Sequence, residues 1–402
     1  MNTLWLKRFF TMVVSGMLLL PCAGHADAVL DWNEIALAQV TAAKQLAPDA
    51  ARTMAIAHVA MFDAVNAVDR RYAAYAFDER AAVGTSLDAA VAAAANAVLV
   101  ALLPGQRASI AAAYDRFRAG LPEVAATRDG LALGARAAER ALVSRANDGA
   151  DAMATYVPYT TPGVYVPTAL PVSTQWGRVK PWFLHDGAQV RPGPPPALDS
   201  PRWQSDYEEI KAVGAKKSTL RSADQTDMAQ FWAVTGPASW NPVVRVLATS
   251  RPRDAVANAR LFALVNMAAM DAFIAVFDAK YTYRFWRPIT AIRNARDGDP
   301  AWLPLIDTPM HPEYPCAHCI TAAAVGEVVK AEFGTGEVAP IAMTSPTAPG
   351  VSRSWSRIDD YVTEVANARV WGGIHYRNST EVGRVMGQRI GAIAATKLPR
   401  SR

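Results

Sequence analysis

Cysteine is scarce in this chain: 3 residues in 402, too few to frame a small disulfide-built domain. Charge of one sign is lacking too. There are 41 Lys and Arg against 36 Asp and Glu, a formal charge of +5, and the basic residues lie scattered among acids with no stripe to follow a nucleic acid. No nucleic-acid partner is therefore expected. Runs of alternating β-branched residues and internal repeats are absent, which argues against a sheet-based fold. What is present is 51% hydrophobic and 19% charged. That is too apolar for disorder, and at this length a large core can be buried without staples.

The first segment reads as an address. Lys7 and Arg8 precede an apolar run over 9–20, followed by Pro21, Cys22 and small residues up to Ala26. Charge, a short apolar core and small residues before a cut make a secretory signal over 1–26, with cleavage expected after Ala26 or Ala28. The run is too short to span a bilayer comfortably, and Pro21 is a poor neighbour for a lipidated cysteine. The expectation is an exported protein, periplasmic or secreted, with no membrane span elsewhere. Loss of Lys7 and Arg8 lowers the formal charge to +3 and leaves two cysteines, Cys316 and Cys319.

Residues 27–157 read as an N-terminal helical region. Over 51–69 the apolar residues Met54, Ala57, Met61, Val65 and Val68 keep a three-four spacing, and 86–103 is nearly continuous Ala, Val and Leu. Helical texture continues over 106–121 and 127–147. Residues 158–201 hold ten prolines with Trp176 and Trp182 among them, so this stretch cannot stay helical and is expected to form a covering loop or rim. A second helical region, 202–402, shows helical pattern over 200–235, 253–279, 317–333, 354–371 and 379–397. The expectation is an all-α helical bundle forming one compact body, with homo-oligomerisation left open.

Five histidines follow the leader: His58, His185, His311, His318 and His375. Three sit in unusual contexts in the C-terminal third, near Lys280, Arg287-Pro288, the stretch His311-Pro-Glu-Tyr-Pro-Cys-Ala-His318, and Arg369-Val-Trp-Gly-Gly-Ile-His375. Lys280, Arg287 and Arg369 offer cationic donors, two of them planar forks suited to a tetrahedral oxyanion. Pro315-Cys316-Ala317-His318 opens an apolar helical run, so free backbone N–H groups would face an anion there. Gly372-Gly373 turns His375 inward, and Asn378 with Glu381 reads as a capping box. Apart from Cys316 and Cys319, no carboxylate or thiol is read at zinc-ligand spacing around these histidines.

These three segments resemble the signature shared by vanadium-dependent haloperoxidases and type 2 phosphatidic acid phosphatases: Lys, six residues, Arg-Pro; Pro-Ser-Gly-His; Ser-Arg, five residues, His, three residues, Asp. Lys280 to Arg287-Pro288 matches the first block, Pro315 and His318 the second, and Arg369 and His375 the third. The wider texture is more similar to the haloperoxidase branch. The resemblance implies a bundle of that type, with a vanadate or phosphate held by Lys280, Arg287, Cys316, the Ala317 N–H and Arg369. It implies His318 as acid–base residue and His375 as axial vanadium ligand or phosphorus nucleophile. His311 resembles a residue near the halide in bromide-using members. The implied activity is oxidation of bromide or iodide by hydrogen peroxide, with a small organic acceptor. The alternatives are a metal-free, acid-phosphatase-like hydrolase of a phosphoester with a phospho-histidine intermediate, and a non-catalytic oxyanion-binding homologue.

The pattern is also broken in places. Cys316 and Ala317 stand for Ser and Gly, Ala368 for Ser, and Ser379 for Asp, which removes an expected partner of His375. Cys316 and Cys319 are read as a site thiol with a buried neighbour in preference to a disulfide or metal pair. His58 is expected in the core, His185 on the surface, and Asp63 and Asn66 as capping or buried polar partners. Asp271 or Asp278 is placed to orient a site arginine.

Overall fold

The computed structural model describes residues 27–400, so the expected leader lies outside the described residues. Among them the chain forms thirteen α-helices and one two-stranded hairpin. The N-terminal half comprises α1 (Ala28–Ala42), α2 (Ala47–Asp69), α3 (Leu87–Leu102), α4 (Arg107–Ala119) and α5 (Ala125–Ser144). Alanine dominates their contacts and lets the helices approach closely. The start of α1 is fixed by Asp27, whose carboxylate accepts the Val29 N–H at 2.8 Å.

From 145 to 200 the chain has no α-helix, only two 3₁₀ turns at Trp176–Arg178 and Gly187–Val190. Then follow α6 (Pro201–Val213), α7 (Ala223–Phe231), α8 (Asn241–Thr249), α9 (Ala255–Tyr283), α10 (Pro288–Asn294) and α11 (Ala317–Phe333). The hairpin β1 (Ile341–Ser345) and β2 (Ala348–Trp355) leads to α12 (Ile358–Trp371) and α13 (Arg377–Ala395). The central element is α9. It is long and apolar enough to cross a membrane, yet its most apolar stretch is 94% buried by the helices around it, α2 and α11 foremost. On its other side α11 packs against α13 so tightly that a Cβ at Gly387 would lie 2.3 Å from the Ile320 carbonyl oxygen.

Three carboxylates tie irregular chain to the bundle. Asp271 on α9 accepts the N–H groups of Trp182, Phe183 and Leu184 at 2.7–3.1 Å. Asp63 on α2 accepts those of Tyr75, Ala76 and Phe77 at 2.7–3.0 Å, and Asp278 makes a two-pronged pair with Arg191. Neither Asp271 nor Asp278 orients a site arginine, contrary to expectation; both hold the proline-rich segment. That segment is further pinned by the Arg145 guanidinium, 3.4 Å above the centre of the Trp182 ring. His58 is buried, stacked on Phe262 and bonded to Asn33, whereas the His185 side chain is exposed.

Other boundaries differ from expectation as well. The helix expected from 354 begins at Ile358, because Ser354 and Trp355 close the hairpin. The expected Asn378–Glu381 capping box does not form. Tyr376 is the N-cap of α13, and its N–H and that of Asn378 are taken by Glu313 and Asp206 from other segments.

Candidate active site

Four chain ends converge beside the C-terminus of α9. Lys280 lies in the last turn of α9, which Arg284 closes in the left-handed conformation (φ 52°) with its N–H on the Lys280 carbonyl at 2.8 Å. Arg287 is the N-cap of α10, the segment 311–316 returns to open α11 at Ala317, and Arg369 occupies the last turn of α12. The turn to His375 depends on Gly373. Its φ is 77°, and a Cβ there would lie 2.3 Å from the Gly214 carbonyl oxygen, so a side chain is excluded twice over.

Lys280, Arg287 and Arg369 are buried, with 0%, 1% and 2% of their surface exposed, and none of them makes an ion pair among the described residues. Their donors go mainly to carbonyl oxygens. Lys280 Nζ donates to Pro312 and Glu313 at 2.9 and 2.7 Å. Arg287 donates to the carbonyls of His311 and Ile374, both at 2.9 Å, and to His311 Nδ1 at 3.0 Å. Arg369 Nη1 donates to the Trp232 carbonyl, while its Nε is buried without any partner. Burial depresses these groups, with Arg287 adding to it at Lys280 and Arg369, and Glu313 opposing it at Arg287: Lys280 falls well below its ordinary value, Arg287 to about 10 and Arg369 to about 9. Buried charge left uncompensated is costly, and a bound anion would relieve it.

Glu313 is the nearest carboxylate, and sequence reasoning missed it. It is fully buried; its Oε1 accepts His375 Nδ1–H at 2.7 Å and the Tyr376 N–H at 3.1 Å. Burial raises it to about 7, against the pull of Lys280 and Arg287. Ser379, where the motif has Asp, comes only to 3.4 Å of the same nitrogen. The carboxylate that the third block lacks thus comes from the segment before α11. The only sequence signal was an acid inside the His-Pro-Glu-Tyr-Pro stretch. With Nδ1 donating, the lone pair of His375 sits on Nε2, 3.4 Å from an Arg287 nitrogen. Burial, with Arg287 next, holds His375 well below its usual value, hence neutral.

His318 approaches from the first turn of α11. Its Nε2 donates to the Val234 carbonyl at 3.0 Å, which leaves Nδ1 as an acceptor; burial and Arg369 push it down to about 3. His311 Nδ1 lies 3.0 Å from an Arg287 nitrogen and 3.1 Å from the Pro312 carbonyl oxygen, and its ring meets the edge of Phe277 at 5.2 Å. The N–H groups of Ala317 and His318 are first-turn donors without an intrahelical acceptor.

The expectation of a free Cys316 thiol at the oxyanion is corrected. Cys316 and Cys319 form a disulfide across the first turn of α11, and Cys316 Sγ accepts the Cys319 N–H as the helix cap. Cys316 therefore has no S–H to offer a ligand; its place shapes the turn that presents the Ala317 N–H. A cavity of about 250 Å³ reaches this site, lined by His311, His318 and His375 and by Leu46, Val172, Phe273, Phe277 and Met310 among others. The donor set suits an oxyanion: three buried cations, one orphaned Arg369 Nε, a helix start and an unprotonated His375 Nε2.

Comparison with known proteins gives the same direction. Residues 260–401 match the family model described as VCPO second helical-bundle domain. A vanadium chloroperoxidase of Curvularia inaequalis is 29% identical over 191 residues, 39% of this chain and 31% of that protein, so the match spans under a third of the relative's length. A bacterial vanadium-dependent iodoperoxidase superimposes with a TM-score of 0.81 at 24% identity, over 93% of this chain and 95% of that one. A bacterial vanadium-dependent chloroperoxidase in its holo form gives 0.71 at 18% identity, covering 87% and 92%.

Proposed function

We propose that this chain, which has the fold of the vanadium haloperoxidases and resembles them in its C-terminal third, oxidises halide with hydrogen peroxide on a bound vanadate. The observation that carries the reading is the set of three buried, unpaired cations around the unprotonated Nε2 of His375. Lys280, Arg287 and Arg369 would hold and neutralise the vanadate oxygens, the Ala317 N–H would add a neutral donor, and His375 Nε2 would supply the ligand nitrogen. When bound, vanadate supplies the Lewis acidity that makes a peroxide oxygen electrophilic toward halide. Glu313 keeps the His375 proton on Nδ1, so Nε2 stays free to bind. His318 Nδ1 can take or return a proton, and a bound anion would counter the burial that now holds it neutral.

His311 is the residue we assign to the halide, with bromide or iodide preferred over chloride; the likeness to an iodoperoxidase favours iodide. Export is part of the proposal. Cleavage after Ala26 would keep the Asp27 cap of α1, whereas cleavage after Ala28 would remove it.

A second reading has its own support, because a neutral histidine with Nδ1 held by a carboxylate and Nε2 free is also what a phospho-histidine nucleophile needs. One assay separates the two. The chain from Asp27, loaded with orthovanadate in phosphate-free buffer, is given peroxide with iodide or with bromide and monochlorodimedone, alongside His375→Ala. Vanadate-dependent halide oxidation that falls at least about a thousandfold in the variant is expected. A phospho-histidine formed from a phosphoester, with no halide oxidation, would move the assignment to hydrolysis. Vanadate binding with neither activity would leave an oxyanion-binding protein.

A further inference from the structure

The cavity that the three histidines line carries one feature that oxyanion chemistry does not use. Ser173, in the proline-rich segment, lines the cavity, is 8% exposed, and has a buried Oγ with no hydrogen-bond partner. Among the described cavity-lining residues, no other buried side-chain oxygen or nitrogen is without a partner. The Ser239 hydroxyl is used by the Gly236 carbonyl, and that of Thr321 by its own helix.

Ser173 also sits in the left-handed region at φ 58°, a conformation that glycine would adopt at less cost. The backbone there is clamped from both sides. The Val172 N–H donates to the Met310 carbonyl at 3.0 Å, the Val172 carbonyl accepts Tyr281 OH, and the Trp176 N–H returns to the Ser173 carbonyl at 3.2 Å. The backbone that carries the hydroxyl is therefore held in place and the hydroxyl itself is unsatisfied, which is the state of a group awaiting a ligand.

The rest of the wall says what kind of ligand. Phe273 and Phe277 lie stacked with ring centres 6.4 Å apart, and Val172 and Leu46 add aliphatic surface. Such walls penalise a charged guest, and the three cations beyond the histidines repel an organic cation. A cavity of about 150 Å³ already holds one benzene ring, so 250 Å³ takes a single ring with a polar substituent. Leu46 and Met310, 45% and 43% exposed, leave the rim open to solvent.

We propose that this cavity binds a small neutral phenol, its ring against Phe273 and Phe277 and its hydroxyl on Ser173 Oγ. This deepens the proposed function by naming the organic acceptor and rests on it for turnover. The hypohalous acid formed there would transfer its halogen to a ring carbon. A carbon–halogen bond forms, the O–halogen and ring C–H bonds break, and the ring proton leaves with the hydroxide as water.

The binding itself is tested without turnover. p-Cresol and toluene are titrated by calorimetry into the vanadate-free chain from Asp27, with Ser173→Ala and the cavity-filling Phe273→Trp. Saturable p-cresol binding is expected, weakened about five-fold by Ser173→Ala, as the loss of one neutral hydrogen bond requires. Toluene affinity should be unchanged in Ser173→Ala, and both ligands should weaken in Phe273→Trp. No saturable p-cresol binding, unchanged p-cresol affinity in Ser173→Ala, or equal losses for toluene would each overturn the proposal. Iodide oxidation to triiodide needs no organic acceptor, so its retention in Ser173→Ala keeps a failure here distinct from failure of the haloperoxidase reading.

Discussion

Two sets of buried charges in this molecule are treated in opposite ways. Asp63 and Asp271 each have three backbone N–H donors aimed at one carboxylate, so their hydrogen bonding is met within the chain and their task is to hold loops. Lys280, Arg287 and Arg369 are as deeply buried, yet no carboxylate pairs with them, and one donor of Arg369 is spent on nothing. Buried charge that serves architecture closes on itself. Buried charge left open marks a place where the missing partner comes from outside.

Substitutions on the two sides should give crossed effects. Asp271→Ala strands three buried N–H groups, and we expect a loss of about 3–5 kcal/mol in denaturant unfolding with oxyanion affinity unchanged. Arg369→Met should do the reverse. Orthovanadate affinity falls about 10- to 100-fold, while the stability of the unliganded chain moves by less than about 1 kcal/mol, because the lost bond to Trp232 is offset by removal of an unpaired buried charge. Equal destabilisation by both variants would dissolve the comparison.

Glu313 lies between the two classes, being a buried carboxylate that serves a site. Glu313→Ala should lower oxyanion-dependent turnover about 10- to 100-fold, with Glu313→Gln recovering part of it because an amide oxygen can still accept from Nδ1. Removal of the Cys316–Cys319 bridge as Cys316→Ser/Cys319→Ala closes a very short loop no longer, so thermal unfolding should register only about 2 kcal/mol.

The smallest expected effect is one of pH. Burial raises Asp271 to about 6 from an ordinary 3.8. The folded chain therefore takes up this proton before the unfolded chain does, and wild type gains stability relative to Asp271→Asn as pH falls from 7 to 4. The gain, about 2 kcal/mol, is lost again as pH rises through 6. A constant difference across that range would show that the three N–H donors outweigh burial.

The three cations and the two histidines of the candidate site, His318 and His375, could be read from the chain because each lies in a short motif whose spacing survives folding. Glu313 could not. Its partnership with His375 spans 62 positions and is created only when the segment before α11 folds back over α13. The missing Asp at position 379 showed that a carboxylate was absent but not where its substitute stood. The Cys316–Cys319 spacing fits a capped helix turn with thiols free or joined, so the sequence reading, which preferred a free site thiol, had no signal for the disulfide. The hairpin escaped because β1 is five residues long and its exposed positions hold Ala342 and Thr344, a weak alternation beside long helical patterns. α8 and α10 were missed for their brevity, being nine and seven residues that start at or just before a proline.

The central claim is that the cationic floor lacks its counter-charge until an oxyanion binds. Thermal unfolding of wild type and Arg369→Met, each with and without orthovanadate in phosphate-free buffer, tests it directly. At a hundred times the dissociation constant, binding adds about 2.7 kcal/mol, or roughly 3 °C for a chain of this size. The account predicts that shift in wild type, about half of it or less in Arg369→Met at the same concentration, and near-equal midpoints for the two unliganded proteins. An unshifted wild type together with a strongly destabilised unliganded Arg369→Met would contradict it.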